Sequence, residues 1–360
     1  MEEHVGNQRD DVSMQGAVCP VPLQHKVNIV LGHGSGGKMT QTLIEGIFYP
    51  PFDNPALLRG DDAAIVAARQ GGKLALTTDC HVVSPLFFPG GDIGRLAVCG
   101  TVNDLCMVGA QPQWLTAGFI LEEGLPFEAL EMIVRSMQTA AEEAGIVVVA
   151  GDTKVTERGK ADGLFITTSG IGAVPEEREV GGANARPGDV VLLSGALGDH
   201  GIAVLAARGK LEFEAQVESD VAPLNGMVER MFEACGSIRV MRDPTRGGLA
   251  TALNEIARQS RVGIRIDEQS IPVHGAVEAA CEMLGFDPLY VANEGKLVAI
   301  VPARAGQDVL AAMRSHPYGK EACLIGEVLE EPAGRVLMRT AIGGSRVIET
   351  LSGEMLPRIC

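Results

Sequence analysis

Three stretches of the sequence place aspartates beside apolar runs that predict β-strands. Asp61 and Asp62 precede such a run in RGDDAAIV, Asp79 closes one in LTTDC, and Asp152 follows one in VVVAGDTK. Polar groups at strand ends converge on ligands in α/β proteins, and carboxylate oxygens are the ligands that Mg²⁺ prefers. The pattern therefore indicates a metal or phosphate site, whereas aspartates that only cap loops are the alternative.

The segment GGDIGRLAVCGTVNDLCMVGA predicts a mostly apolar helix from about Asp92 to Val108, interrupted by Asn103 and Asp104. An ionised aspartate inside such a helix is costly unless it is paired or binds a metal ion. We interpret Asp104 as a metal ligand. A structurally paired aspartate is the alternative.

Two glycine-rich stretches could bind phosphate. LGHGSGGK ends on Lys38 and offers backbone amides to an anion, although it lacks the spacing of a P-loop and a flexible lid explains it equally well. MRDPTRGGLATALNEIA places Asp243, Thr245 and Arg246 directly before a predicted helix. The helix dipole, the free amides and the guanidinium together favour an anion site, and a capped helix with a surface arginine is the alternative.

Further titratable groups precede apolar elements. Glu294 and Lys296 in YVANEGKLVAI form either a loop ion pair or, given a partner site, an acid–base group. In SGALGDHGIAVLA, we interpret His200 as the cap of the helix that follows. The sequence closes on LPRIC, so Cys360 is either a chance last residue or a thiol on a tether, and a prenylation signal is excluded because it needs the cysteine four places from the end.

Composition excludes several classes of function. The 360 residues carry a net charge of −16, which repels nucleic acid and anionic membranes. The eight cysteines form no CxxC pair, which argues against a zinc knuckle or a disulfide framework. Neither a signal peptide nor an apolar run of membrane-spanning length is visible, so we expect a cytoplasmic protein.

The order of predicted elements positions these groups in a mixed α+β fold of two domains. Strands are predicted at 73–78, 146–150, 164–169, 190–194 and 297–301, and helices at 126–145 and 248–258. The Gly-, Pro- and charge-rich stretch 174–189 predicts the interdomain connection. The expected division is a flexible leader at 1–27, an N-terminal domain at 28–175, a C-terminal α+β domain at 176–345 and a mobile tail at 346–360.

Taken together, these stretches resemble the carbamoyl dehydratases of nickel–iron hydrogenase maturation. The resemblance covers residues 29–360 and is carried by the motifs HGSGGK, GDDAA, TTD, PLFFPGGDIG, ND, GFILEEGLP, GDTKV, SGALGDHG, RDPTRGG, ANEGKL and PRIC. Several of these motifs also occur in aminoimidazole ribonucleotide synthetase, selenophosphate synthetase and thiamine-monophosphate kinase. The closing PRIC is what distinguishes the dehydratases. Pro244 stands where a small residue is expected, which a position just before a helix tolerates.

The resemblance implies a reaction on the chain's own thiol. A partner carbamoyltransferase would load a carbamoyl group onto Cys360 as a thiocarboxamide, and ATP-dependent dehydration would turn it into a thiocyanate. The cyano group would then pass to iron on a scaffold complex of other maturation proteins. A homodimer in which the N-terminal sheets pack into a barrel-like core is implied as well.

The resemblance also implies roles for individual residues. Cys360 would be the covalent carrier, Lys154 would stabilise the transferring phosphoryl group and Glu294 would be the base. The implied ligands of Mg²⁺ are the carboxylates Asp62, Asp79, Asp104 and Asp243. The implied contacts of ATP lie in the glycine-rich and strand-end motifs: His33, Gly36, Gly37, Lys38, Asp61, Asn103, Gly151, Asp152, Thr153, Arg246, Gly247 and Gly248.

Three rivals remain open at this point. A selenophosphate synthetase would carry a cysteine or selenocysteine in the N-terminal glycine-rich loop, where HGSGGK has none. A small-molecule kinase would not need Cys360. A non-catalytic carrier would show no ATP hydrolysis that depends on a loaded Cys360.

Overall fold

The computed structural model describes residues 37–52, 54–68, 72–209, 217–351 and 359–360. The predicted leader at 1–27, together with His33 and Gly36, lies outside these residues. The part of the chain that is described has a mixed α+β fold, as expected, in two series of elements. Residues 175–188, between the two series, form neither helix nor strand.

The first series builds a five-stranded sheet and a short ribbon. Its strands are β1 Ala64–Ala67, β2 Lys73–His81, β3 Phe87–Phe88, β4 Gly91–Asp92, β5 Gln111–Glu122, β6 Val147–Thr156 and β7 Leu164–Val174. The sheet has the order β1-β2-β7-β5-β6, and β3 pairs with β4. Within this sheet only β5 and β6 are paired in parallel, and β6 forms one edge because it is last in the strand order.

Four α-helices accompany this sheet in the described residues: α1 Lys38–Leu43, α2 Tyr49–Phe52, α3 Ile93–Met107 and α4 Phe127–Ala144. Asp92 caps α3 by accepting a hydrogen bond from the amide of Gly94 at 2.7 Å. The predicted helix at 126–145 is confirmed as α4, which follows Pro126 and ends where Gly145 adopts a φ of 67°.

The second series forms a seven-stranded sheet with the order β14-β13-β10-β12-β8-β11-β9. Its strands are β8 Asp189–Leu193, β9 Val240–Arg242, β10 Gly263–Asp267, β11 Val298–Pro302, β12 Cys323–Leu329, β13 Val336–Arg339 and β14 Ser345–Ile348. Its helices are α5 Asp199–Ala207, α6 Asn225–Ala234, α7 Gly248–Ser260, α8 Gly275–Leu284 and α9 Gly306–Arg314. None of the helices in the described residues has the length and apolar character needed to cross a membrane.

Helix α3 joins the two series because both pack against it. Of its 15 residues, only Arg95 and Asp104 are not buried. One hydrophobic cluster contains Leu96 of α3, Met227 of α6 and Leu297 beside β11, so the two halves share a core. Helix α3 is mostly apolar because both halves bury it. Asp104 is half-buried, at a position that the packing does not cover completely.

Strands β2 and β6 are longer than the sequence predicted. Strand β2 continues past Asp79 to His81, and β6 continues past Asp152 to Thr156. Neither aspartate therefore stands at a strand end. The apolar runs are shorter than the strands because alternate strand positions point to opposite faces and need not be apolar.

Candidate active site

An acidic cluster lies where the two halves of the molecule meet. It contains Asp62 before β1, Asp79 in β2, Asp104 in α3, Asp243 after β9 and Glu294 before β11. The pKa of Asp104 is raised well above its usual value by burial and then by the charges of Asp243, Asp79 and Asp62. Five separate segments thus bring their carboxyl groups within electrostatic reach of one another.

Short contacts hold the N-terminal members of the acidic cluster. The hydroxyl of Thr77 donates to Oδ2 of Asp104 at 2.8 Å and also lies 3.2 Å from the backbone oxygen of Asp62. Asp79 lies over Gly100 of α3, where an added Cβ would stand 3.3 Å from Asp79 Oδ2. A glycine in α3 therefore lets the β2 carboxylate approach the helix.

Arg242 of β9 is a member of the site that the sequence reasoning missed. Its Nη1 lies 3.0 Å from Oδ1 of Asp62 and 3.2 Å from Glu255. Burial raises the pKa of Asp62 to about 6, and the charge of Arg242 opposes that rise. The signal in the sequence was an arginine that directly follows the apolar residues Val240 and Met241, where a buried charge requires a partner.

The acidic cluster has the chemistry of a divalent-cation site, although its side chains are not arranged around an ion. Within the described residues, no three His, Cys, Asp or Glu side chains stand as a set that could hold a metal ion. Burial and the charge of Asp62 raise the pKa of Asp243 to about 8. Such mutual repulsion is relieved when a cation binds, and hard oxygen donors suit Mg²⁺. The donor set therefore fits Mg²⁺, provided that the side chains turn toward it.

Glu294 is a buried member of the acidic cluster with one oxygen unpaired. Its backbone amide donates to Oδ1 of Asp220 at 3.0 Å, and its Oε1 has no hydrogen-bond partner. Burial raises its pKa well above the usual value, and the charges of Asp243 and Asp79 add to that rise. Lys296 pairs with Asp220 at 3.6 Å, so the loop ion pair considered for Glu294 and Lys296 is not formed. A carboxyl group with a raised pKa is suited to exchange protons near neutral pH.

Cys360 lies inside this site. The amide of Val82 donates to its backbone oxygen at 3.0 Å, and the preceding Ile359 is only 5% exposed. Burial raises the pKa of the Cys360 thiol; the charge of Arg246 opposes that rise, and Glu294 and Asp79 add to it. The thiol is therefore a neighbour of the carboxyl group that could act as a base.

The RDPTRGG motif forms the positive rim of the site. Gly247 and Gly248 begin α7 with φ values of 78° and 60°, and a Cβ on Gly248 would stand 2.5 Å from the backbone oxygen of Leu289. Only glycine fits this turn. The exposed Arg246 has a raised pKa, first because of the charge of Cys360. Pro244 fits the turn, since its carbonyl accepts two hydrogen bonds from Asn293.

Asn103 and Asp61, which were predicted to contact ATP, have structural partners. The side chain of Asn103 donates to the backbone oxygen of Ala222 at 3.0 Å and accepts from the amide of Leu224 at 2.8 Å. Oδ1 of Asp61 accepts from the amide of Gly182 at 2.9 Å, and its Oδ2 accepts from an arginine at the same distance. Both residues therefore join the two halves of the chain, and their predicted contact with ATP stays a prediction.

The GDTK stretch of β6 does not reach the acidic cluster in a single chain. Pairing across the sheet places Gly151 in the same row as Asp79, three strands or about 14 Å away. Asp152 and Lys154 point to the opposite face, where they form an exposed ion pair of 2.9 Å. Thr153 is exposed as well. The expectation that strand ends would gather Asp152 and Lys154 with Asp79 is corrected, because β6 is an edge strand and these two side chains face away from the acidic cluster.

Of the glycine-rich stretch, only Gly37 and Lys38 belong to the described residues. Gly37 packs on Leu351, since a Cβ there would stand 2.3 Å from the backbone oxygen of Leu351. Lys38 lies 3.6 Å from Glu349. Both residues contact the segment that leads to Cys360, and their predicted contact with phosphate stays a prediction.

Comparisons with known proteins agree with the arrangement of two halves around one site. The models for the N-terminal and C-terminal domains of AIR synthase related proteins match residues 60–174 and 186–339. The carbamoyl dehydratase HypE of Cupriavidus necator is 56% identical over 332 residues, covering 92% of this chain and 95% of the relative. The chain belongs to the HypE family. The Escherichia coli member is 46% identical, with 92% and 99% coverage.

Solved HypE structures share the fold. A HypE in complex with ATP has a TM-score of 0.78 at 49% identity and covers 92% of this chain and all of its own. A HypE–HypF complex gives a TM-score of 0.81 at 51% identity, with 86% of this chain and 99% of the other covered. The family expected from the motifs is thereby confirmed.

Proposed function

We propose that this chain is an ATP-dependent carbamoyl dehydratase of hydrogenase maturation, which acts on a carbamoyl group carried by its own Cys360. Membership of the HypE family supports the reaction class. The observation that carries the finer proposal is the position of the Cys360 thiol beside Glu294, Arg246 and Asp79. A carrier thiol that reaches acid–base and anion-binding groups presents its cargo at roughly millimolar effective concentration, so no free substrate has to be captured.

The chemistry requires a better leaving group than an amide oxygen. In the proposed reaction, the carbamoyl oxygen of the thiocarboxamide attacks the γ-phosphate of ATP and ADP leaves. Loss of the phosphorylated oxygen as phosphate and of both protons from nitrogen then leaves the thiocyanate. The overall change removes one water from the carbamoyl group and splits ATP into ADP and phosphate.

Glu294 is the proposed acceptor of a nitrogen proton. Its unpaired Oε1 provides a lone pair in a buried site, and its raised pKa increases its basicity. Arg246 and the amides at the start of α7 are proposed to bind phosphate oxygens near the thiol. Lys38, with His33, Gly36 and Gly37, is proposed to cover the phosphates from the N-terminal side.

Mg²⁺ would be held by the carboxylates of the acidic cluster, namely Asp62, Asp79, Asp104 and Asp243. When bound, it neutralises charge on the phosphates as they are transferred. Without it, burial and the charges of Asp243, Asp79 and Asp62 raise the pKa of Asp104, and burial and the charge of Asp62 raise that of Asp243, so the site is prepared for a cation at an energetic cost. The proposed ligand set takes Asp62, Asp79 and Asp104 from the first series of elements and Asp243 from the second.

The proposed partners follow from the position of the thiol. A carbamoyltransferase must reach Cys360 to load it; the solved HypE–HypF complex supports a partner of the HypF type. We also propose an iron-binding scaffold complex as the acceptor of the cyano group. Both steps require the tail to leave the site.

We propose a homodimer that forms through the β6 edge. Apolar side chains are unusually exposed there: Val147 is 58%, Val149 56% and Val155 69% exposed. Edge strands with such side chains pair with another chain unless they are covered. A second copy on this edge would give Asp152 and Lys154 a place in an active site that one chain does not provide.

Intact-mass spectrometry tests the proposal. The protein is incubated with its carbamoyltransferase, carbamoyl phosphate and ATP, and Cys360→Ala is the matched control. Cys360 should first gain one carbamoyl group and then lose the elements of one water, while the variant binds ATP without either mass change. A carbamoyl group that is loaded but never dehydrated would indicate a carrier, and phosphorylation of a small molecule independent of Cys360 would indicate a kinase. Selenide-dependent ATP use would indicate a selenophosphate synthetase.

A further inference from the structure

His200 has no part in the chemistry described so far, yet it contacts the tail. The sequence reasoning made it the cap of α5, but Gly198 holds the cap position with a φ of 88° and His200 lies completely buried in the first turn. Its Nε2 lies 2.7 Å from the backbone oxygen of Ile359, and its Nδ1 lies 2.8 Å from Oγ of Ser219. Phe88 packs edge-on against the ring, with centroids 5.4 Å apart.

The partners of His200 determine where its proton is. A carbonyl oxygen can only accept, so Nε2 must carry the hydrogen that it donates to Ile359. Burial lowers the pKa of His200, which favours the neutral ring, and Nδ1 then accepts from the hydroxyl of Ser219. That hydroxyl oxygen can accept in turn from the amide of Val221, 3.2 Å away. A continuous chain of hydrogen bonds thus fixes one tautomer that presents an N–H to the tail.

We propose that His200 is the positioning residue that docks the tail with the thiol of Cys360 in the active site. This inference rests on the proposed function, in which the tail must both enter and leave the site. The contact from His200 comes from the C-terminal half, and the contact from Val82 to the backbone oxygen of Cys360 comes from the N-terminal half. The last two residues are therefore held from both sides of the boundary.

The contacts from His200 and Val82 are made to the backbone of the tail and not to the thiol. Because His200 binds the carbonyl of Ile359 and Val82 binds the oxygen of Cys360, neither contact depends on what the sulfur carries. The tail can therefore dock in the same way with a free thiol, a carbamoyl group or a cyano group. Release to a partner requires that these two backbone hydrogen bonds and the packing of Ile359 be broken.

The test compares His200→Leu with the unaltered protein by the rate at which iodoacetamide labels Cys360, measured on the C-terminal peptide by mass spectrometry. Leucine keeps much of the volume but cannot donate, and the Ile359 carbonyl loses a buried partner. Labelling should become about tenfold faster, as expected for the loss of one buried hydrogen bond. His200→Gln, which keeps an N–H at similar reach, should restore slow labelling in part. His316→Leu, a histidine replacement away from the tail, should label at the original rate.

A second measurement separates docking from folding and from the proposed function. In single turnover, His200→Leu should slow dehydration of the carbamoylated protein about tenfold, while the transferase loads Cys360 at least as fast as before. If His200→Leu is unstable, Ser219→Ala replaces it, because it removes the hydroxyl that orients the ring, and its labelling should also accelerate. Unchanged labelling of Cys360 in a folded variant would overturn the docking role. Absence of dehydration in the unaltered protein would overturn the proposed function, whereas labelling would still report docking.

Discussion

The acidic cluster and the β6 edge hold similar residues in opposite environments. Asp104 lies between the two halves, where burial and neighbouring carboxylates raise its pKa well above the usual value. The side chain of Asp152 is 75% exposed, and hydrogen bonds from Lys154 and from the Thr153 amide lower its pKa. The same residue type is therefore a strained candidate ligand in one region and a solvated ion-pair partner in the other. The comparison shows that burial and neighbours, rather than residue type, create the reactive site.

Replacing the proposed base should have the largest effect. Glu294→Gln keeps the shape of the side chain but removes the proton acceptor, so we expect dehydration in single turnover to slow by about 10²–10⁴-fold. Loading of Cys360 by the transferase should be unchanged. Glu321→Gln, at an exposed glutamate, is the matched control. Dehydration at the original rate in Glu294→Gln would remove the buried carboxyl from the mechanism.

Replacing a carboxylate of the acidic cluster should separate stability from function. Because the folded-state pKa of Asp104 is raised, its ionisation opposes folding once the pH exceeds the usual value of 3.8. Asp104→Asn should therefore unfold at a higher temperature than the unaltered protein at neutral pH without Mg²⁺, with a difference that shrinks as the pH falls toward 4.

The same variant should lose much of the stabilisation that Mg²⁺ and ATP add to the melting temperature. Thermal unfolding from pH 4 to 8, with and without Mg²⁺–ATP, measures both effects. Asp152→Asn is the matched control, since its carboxylate is exposed. A variant that is destabilised at neutral pH without ligand would contradict the account of a mutually repelling cluster.

A charge on the β6 edge should affect assembly more than folding. Val155→Glu places a carboxylate on the exposed edge. We expect the dimer dissociation constant to rise at least about tenfold, because an unpaired charge at an apolar interface is costly. Sedimentation velocity across a concentration series measures this. Ile342→Glu, at a loop residue that is 96% exposed, is the control. An unchanged dissociation constant would show that the dimer interface does not include the β6 edge.

The smallest effect concerns the exposed ion pair itself. Lys154→Met should leave the unfolding temperature unchanged, because exposed pairs contribute little to stability. ATP turnover should nevertheless fall if a second copy places Lys154 in its site. Mixing Lys154→Met with Glu294→Gln chains would then restore part of the activity in mixed dimers. Turnover that is unaffected by Lys154→Met would leave the β6 edge without a catalytic role.

Much of the fold and part of the site could be predicted from local patterns. Pro126 and Gly145 delimit α4 because helix starts and stops are local preferences, and Asp104 stood out because a charge is rare in an apolar helix. The position of β6 could not be predicted, since an aspartate after an aliphatic run looks the same in edge and central strands. Arg242 was overlooked because its partner Asp62 is 180 residues away.

By itself, the sequence determined the family, the α+β class and the residue types available for chemistry, because motifs and periodicity are properties of neighbouring residues. Only the tertiary structure decided that the Cys360 thiol lies beside Glu294, that Lys154 faces away from the acidic cluster and that His200 contacts the tail. The physical reason is that burial, pKa and hydrogen-bond partners depend on groups that are distant in the chain and meet only when the two halves pack on α3.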